Sequence, residues 1–188
     1  MLIRLLYASR ARELGPFDVK DILERSRRNN QALGVTGALC LSNGIFLQCL
    51  EGDRTVVNQL YHRILGDRRH TDPAILDFEP IVCRQFTGWS MGLVNTVADN
   101  QALFLKYATG PQFDPYAMRP EALRAFFAEL GDEPASAKQN AEGASWKRKD
   151  WPRPASSEQI AAFDGDWALL EPKIEKKIKS GAPGIAAE

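Results

Sequence analysis

Neither sign of charge dominates this chain, in which 24 lysines and arginines stand against 24 aspartates and glutamates. That balance leaves no electrostatic case for binding nucleic acid or an acidic membrane surface. No apolar run approaches the roughly 20 residues that span a bilayer. The opening M-L-I-R-L-L-Y lacks the long apolar core and small-residue cleavage site of a secretory leader. Cysteine is scarce, with only Cys40, Cys49 and Cys83 present, and the three show no metal-ligand spacing. An odd count of this kind argues against a disulfide framework and for reduced thiols in the cytoplasm. All three cysteines are expected in strands, as small buried apolar residues.

What is present suits a globular protein. Hydrophobic residues make up 44% and charged residues 26% of 188, enough for one domain with extensions. The most informative stretch is N-G-I-F-L-Q-C-L-E-G-D, Asn43 to Asp53. Asn43-Gly44 is a hairpin turn signal, because a two-residue turn needs positive φ. Ile45 to Leu50 then reads as a strand that is apolar on both faces except at Gln48. Such a strand is buried on both faces. A buried amide left without partners costs on the order of 1–3 kcal/mol per group, so something must bond Gln48. A backbone carbonyl or neighbouring side chain would suffice; a bound ligand is the sharper alternative.

The flanking segments bear on that choice. Leu2 to Ser9 alternates as a strand, with Ile3, Leu5 and Tyr7 on one face and Ser9 following them. Phe17 to about Asn30 has a helical period, with Val19, Ile22, Leu23 and Ser26 on one side. At 100° per residue, Asn29 points about 20° from Ile22, Ser26 about 40° and Asn30 about 80°. The apolar stripe thus turns polar toward its end, which fits either a ligand or a solvated helix terminus. Val35 to Ser42 is a strand. Asp53 is a candidate N-cap for a helix from Arg54 to about Asp67, with Val56, Leu60 and Ile64 as its stripe and Arg63 and Asp67 at its flanks. The cluster D-R-R-H, Asp67 to His70, is either a solvated helix end or a rim for a polyol or phosphate. Thr71 to Pro73 reads as a loop and Ile75 to about Arg84 as a strand, which Pro80 marks as an edge or a bulge. Trp89 to Val97 is the last strand, with Trp89, Met91 and Leu93 on one face.

The resulting order, βαββαββ, implies an α+β fold. It is ferredoxin-like, with a five-stranded mixed sheet and two helices on one face. A ligand between those helices would meet Ser26, Asn29 and Asn30 from one side and Arg63, Asp67, Arg69 and His70 from the other. Tyr7 and Gln48 would close the site from the sheet.

Seven short segments in this order resemble the BLUF domain, the blue-light sensor using flavin: Y-A-S (7–9), S-R-R-N-N (26–30), G-V-T-G (34–37), G-I-F-L-Q-C-L-E-G (44–52), L-Y-H-R-I (60–64), D-R-R-H (67–70) and W-S-M-G (89–92). The resemblance covers residues 1–98 and supplies the ligand's identity. It implies a flavin between the two helices, FAD first, with FMN or riboflavin open. Asn30 would bond the flavin's carbonyl and amide edge, and Ile22 and Ile64 would sandwich the ring. Arg63, Asp67, Arg69 and His70 would meet the ring or its polar tail. Ser9, Ser26 and Phe46 would line the site, as would Asn29, at a position where the family varies. Gln48 would sit between Tyr7 and the ring. Light would move an electron and a proton from Tyr7 through Gln48 to the flavin, and recombination would leave the amide rotated or tautomerised. Trp89 or Met91 would then respond to the amide, unless both are core filler.

Residues 99–131 read as capping helices over the opposite sheet face, with Leu103, Phe104 and Tyr107 on one stripe and Leu123, Phe126, Phe127 and Leu130 on the next, which Gly131 ends. Residues 132–155 read as a linker and residues 156–188 as a helical tail. No catalytic output domain is visible. Output is therefore expected through the last strand and the C-terminal helices, by contact with an unidentified downstream protein, in a cytoplasmic homo-oligomer. The alternatives are a flavin- or nucleotide-binding interaction protein without photochemistry and a flavin-dependent enzyme.

Overall fold

The computed structural model describes residues 1–12, 18–88, 90–95 and 101–132. In chain order the elements are β1 (Leu2–Ala11), α1 (Asp18–Leu33), β2 (Thr36–Ser42), β3 (Ile45–Asp53), α2 (Arg54–Leu65), β4 (His70–Pro80), β5 (Gly92–Asn95), α3 (Gln101–Tyr107), a short 3-10 helix (Pro115–Ala117) and α4 (Pro120–Asp132). The sheet order is β4-β1-β3-β2-β5. The first four strands pair antiparallel, and β5 lies parallel to β2. This is the expected ferredoxin-like plan with one strand added.

Local chemistry explains the hairpin and the helix starts. Asn43 and Gly44 both take positive φ, 50° and 70°, as a tight hairpin of this hand requires. Asp53 caps α2 by accepting from the Thr55 N–H at 2.9 Å. Asp18 and Asp21 lie in the first turn of α1, where carboxylates suit the helix dipole. That helix runs on to Leu33, so Asn30 is an interior position, 1% exposed, and no solvated terminus.

The two sheet faces carry different partners. On one face Tyr7 and Gln48 are directly opposed on neighbouring strands, as are Ser9 and Phe46. The Tyr7 ring meets Tyr61 of α2 edge-on at 5.2 Å. On the other face Leu6, Ala8, Ala38, Cys40, Leu47 and Cys49 form one apolar core with Phe104, Phe113, Leu123, Phe126, Phe127 and Leu130. All four residues of the expected α4 stripe are buried there. Helices α3 and α4 thus cover the face opposite α1 and α2. A five-stranded sheet with one bare apolar face would invite association, and this packing removes it.

Several boundaries differ from the expectations. β4 begins at His70, so Thr71 to Pro73 is strand and not loop. Its pairing with β1 shifts register between Ala8 and Arg10, and Asp72 takes a φ of 50°. This irregularity is what the mixed polarity concealed. β4 lies at the sheet edge, where its prolines cost no ladder bond. It stops at Pro80, not Arg84, because the chain then leaves the sheet. Arg84 donates to the Gly34 carbonyl at 2.7 Å. The backbone N–H groups of Gln85 and Phe86 go to the Glu51 carboxylate at 2.9 and 3.1 Å. Cys83 is therefore exposed in a connection, while Cys40 and Cys49 are buried in strands as expected. β5 starts at Gly92, so Met91 precedes the strand; Trp89 lies outside the described residues. Gly131 is helical and does not end α4. Apart from Asp132, which belongs to α4, the expected linker and tail lie outside the described residues. Among the described residues, no helix is long and apolar enough to cross a membrane.

Candidate functional site

The site is built on the pairing of β1 with β3. It brings Tyr7 and Gln48 side by side on the face beneath α1 and α2, with Tyr7 fully buried and Gln48 5% exposed. The Tyr7 hydroxyl donates to Oε1 of Gln48. Gln48 Nε2 donates to the Met91 sulfur at 3.5 Å. Burial, with Tyr61 and Asp67 adding to it, pushes the Tyr7 phenol far above its ordinary pKa. Tyr7 is therefore a neutral phenol and a reliable donor, which sets the Gln48 carbonyl toward it. The other end of the amide meets a thioether, a weak acceptor. Turning the amide over would make Gln48 Nε2 the donor and the Tyr7 hydroxyl the acceptor, and on the other side would forfeit only the weak bond to Met91. A strong acceptor in place of Met91 would lock Gln48 in one orientation.

Helix α1 holds the next part. Asn30 Nδ2 donates to the Ser90 carbonyl at 3.0 Å. Arg27 Nε donates to the Met91 carbonyl at 3.0 Å, and the Ser90 hydroxyl donates to the Arg27 carbonyl at 2.9 Å. Ser90-Met91 is thus the junction where α1 and Gln48 meet. Asn30 Oδ1 and one N–H of each amide have no partner among the described residues. Buried amides ordinarily spend that capacity. A planar ring edge of alternating carbonyls and N–H groups, such as a flavin presents, is chemically suited to it. Ile22 is 8% exposed, and Ser26, Asn29, Arg63 and Ile64 are half-buried on α1 and α2.

A second cluster forms the rim. Arg69 binds Asp67 through Nε at 3.0 and 3.1 Å and reaches Asp21 on α1 at 3.0 Å. Burial opposes ionisation of Asp67, but the bonds from Arg69 prevail and hold its carboxyl below the usual range. Asp67 likewise raises the Arg69 pKa. His70 Nδ1 lies 2.8 Å from the Ser9 hydroxyl, and its ring packs on Phe46 at 4.7 Å. Burial lowers the His70 pKa against the pull of Asp67, which favours the neutral ring. Because Ser9 and Phe46 form the cross-strand pair next to Tyr7 and Gln48 on the same face, the two clusters are contiguous. Of the expected residues, Tyr7, Gln48, Met91 and Asn30 meet in the first cluster, and Ser9, Phe46, Asp67, Arg69 and His70 meet in the second. Ile22, Ser26, Asn29, Arg63 and Ile64 stand on the two helices. Arg27, Ser90 and Asp21 are additions. The only sequence sign of Arg27 was its place in S-R-R-N-N, beside the two asparagines.

Fold and site together define an α+β domain in which one buried amide stands between a phenol and a thioether. The family model described as BLUF, sensors of blue-light using FAD, matches residues 2–92. BlrB, described as a BLUF protein and solved in its dark state, is 33% identical, with a TM-score of 0.56 over 69% of this chain and 96% of that one. BlsA in its photo-activated state is 32% identical, with a TM-score of 0.66 over 71% and 97%. A bacterial light-regulated adenylyl cyclase is 34% identical, with a TM-score of 0.53 over 56% of this chain but only 31% of that one. The chain belongs to the BLUF family, which senses blue light with a flavin. A further likeness is of another kind: the 2-oxoglutarate dehydrogenase E1 component of Brucella anthropi is 45% identical over 82 residues. The chain spans 44% of itself but only 8% of that enzyme in this match.

Proposed function

We propose that this chain reads blue light through the Tyr7–Gln48–Met91 contact and passes the result by contact to another protein. The observation that carries the reading is the Tyr7 hydroxyl bonded to Gln48 Oε1, with Met91 on the amide's other end. The cofactor is a flavin nucleotide, FAD by the family description. Asn30 and Gln48 would take its polar edge, Ile22 and Ile64 its ring faces, and Ser26, Asn29, Arg63, Arg69 and His70 its periphery. When it absorbs light, the bound flavin supplies a strong one-electron oxidant. Tyr7, a neutral phenol, gives up the electron. Its proton would cross the existing hydrogen bond to Gln48 Oε1 while the amide passed one from Nε2 to the polar edge of the flavin, which would thus receive both electron and proton. Electron and proton then return to Tyr7, and the net change is confined to the orientation or tautomer of Gln48. Met91 loses its donor and is free to change rotamer at little cost. The experiment is direct. The purified chain should be yellow and show a reversible red shift under blue light. Bleaching with substrate turnover would favour an enzyme, and an unchanging spectrum a passive flavin binder.

The 82-residue likeness to E1 components supports a partner for the output. It amounts to 8% of that enzyme, too little to bring its chemistry, yet of a size that suits a docking module. Residues 93–188 lie outside the family match and are numerous enough to hold it. We infer that the downstream partner belongs to the 2-oxoglutarate dehydrogenase assembly and that the sensor works in the cytoplasm as a homo-oligomer. Mixed with that purified assembly, the chain should co-sediment to different extents in darkness and under blue light. Equal binding in both, or none, would reject this partner.

A further inference from the structure

His70 reaches the rim of the site only because the pairing of β4 with β1 slips. Ala8 opposes Ala74, but Arg10 opposes Thr71 and Ala11 opposes His70. Two residues of β4, Asp72 and Pro73, therefore stand where Ser9 alone stands on β1, which makes a bulge. A one-residue slip moves the side chains beyond it to the other face. Continued regularly from Ala8 and Ala74, the ladder would set Thr71 opposite Ala11. It would then carry His70 to the face of Ala8, which packs in the opposite core. The extra residue instead brings His70 to the face of Ser9 and Phe46, with Nδ1 2.8 Å from the Ser9 hydroxyl. The bulge is held from outside the sheet. Asp72 takes a φ of 50°, which is sterically costly for a residue with a Cβ. Its carbonyl accepts from the Tyr116 hydroxyl at 2.9 Å. Its carboxylate lies 3.7 Å from Arg10 Nε, and the Arg10 guanidinium lies over the Tyr116 ring, 5.5 Å from the ring centre. Tyr116 is itself firmly placed. Its N–H donates to Asp114 Oδ1 at 3.1 Å, and its 3-10 helix lies between Phe113 and Met118, both buried in the core.

We propose that Tyr116 is a positioning residue for the rim: by holding the bulge at Asp72 it fixes His70 against Ser9 and Phe46, where the flavin's periphery would lie. This rests on the flavin-site reading above and adds to it a residue from outside residues 2–92, the span of the family match. Without such a hold the bulge has little to keep it. Regular pairing would relieve the positive φ of Asp72, and β4 is an edge strand whose register is set by β1 alone. The ion pair between Arg10 and Asp72 joins side chains that are 56% and 72% exposed, and such pairs contribute little. The Tyr116 hydroxyl, carried on a helix anchored in the core, is the stronger hold.

The test uses the full chain and two readouts. The first is the nitrogen NMR pattern of the His70 ring, which reports its tautomer and the bond at Nδ1; the chain has only one other histidine, His62. The second is the dissociation constant of FAD. In the unmodified chain His70 should show one neutral tautomer. Tyr116→Phe removes the hydroxyl and keeps the ring beneath Arg10. It should blur that single pattern and raise the FAD dissociation constant roughly five-fold, as the loss of one net hydrogen bond would. Tyr107→Phe is the control, because it removes a hydroxyl that bonds Glu129 of α4 at 2.6 Å and does not touch the bulge. It should leave both readouts at the parent values. If either readout in Tyr116→Phe stays at the parent value, the proposal is overturned. It is overturned equally if Tyr107→Phe moves both as far, since packing of the C-terminal helices would then be the cause. An unmodified chain that binds no flavin overturns the flavin-site reading instead, and the His70 pattern alone then judges whether Tyr116 holds the bulge.

Discussion

Purified Gln48→Ala protein is expected to remain yellow and to show no reversible red shift under blue light. The shift requires a group that changes its hydrogen bonds while the flavin ends chemically unchanged, and Gln48 is the group placed to do so. It contacts Tyr7 with its carbonyl and Met91 with its amine. An alanine has no donor or acceptor to rearrange and cannot relay a proton. The variant also leaves the fully buried Tyr7 hydroxyl unpaired. That costs on the order of 1–3 kcal/mol, so its spectrum is best recorded at low temperature, with folding checked independently. Tyr7→Phe tests the other half of the pair. It keeps the ring packed against Tyr61 and removes only the donor. It too should lose the red shift, now for want of the electron and proton source. A normal photocycle in Tyr7→Phe would remove the phenol from the mechanism, and one in Gln48→Ala would remove the amide. Loss of the shift in both, with flavin still bound, is the outcome this geometry demands.

How far such a site can be read from sequence depends on whether its determinants are local. Gln48 stood out because a single amide interrupted a strand apolar on both faces, and Tyr7 because alternation put it on an inward row. These are properties of one strand each. That the two would be directly opposed follows from the register of β1 against β3, which alternation limits to one face but no turn sets, since α1 and β2 lie between the two strands in the chain. The flavin came from neither; it came from the likeness of seven short segments to a family. The misread elements share a cause. Ser90 and Met91 alternate like strand residues, but the bonds from Asn30 and Arg27 claim their carbonyls before the ladder with β2 begins. Gly131 looks like a helix stop, whereas its missing side chain makes room for Gln85. The positive φ of Asp72 and the register shift let β4 continue through residues that resemble a loop. In each case a tertiary contact overrides a local signal. The same is true of Glu51, which in sequence is merely the end of a strand.

Glu51→Ala is expected to destabilise the fold by about 3–5 kcal/mol, the range for breaking a buried ion pair from one side. The carboxylate is fully buried and bonded at both oxygens. Oε1 accepts from Arg4 Nε and Nη2 at 3.0 and 2.8 Å. Oε2 accepts from the backbone of Gln85 and Phe86 at 2.9 and 3.1 Å. Removing it leaves Arg4, 13% exposed, with Glu79 at 3.2 Å as its remaining ion-pair partner, and leaves two backbone N–H groups without their acceptor. Glu51→Gln is no rescue. All the groups around Glu51 in these bonds are donors, so whichever way an amide turns, its NH2 faces N–H groups. Urea melts of the two variants should therefore both fall well below the parent, with Gln the milder because it keeps the volume and one acceptor. Glu24→Ala is the control. Its ion pair with Lys20 joins two largely exposed side chains at 3.9 Å, and such pairs contribute little. If Glu51→Ala melts with the control, the carboxylate does not hold the 81–91 connection in place. If it melts far below, the same bonds that stabilise the sheet also fix the segment that carries Met91 to Gln48. A spectral shift measured on folded Glu51→Gln should then recover to the dark state at an altered rate, because the thioether facing the amide is no longer held at one distance.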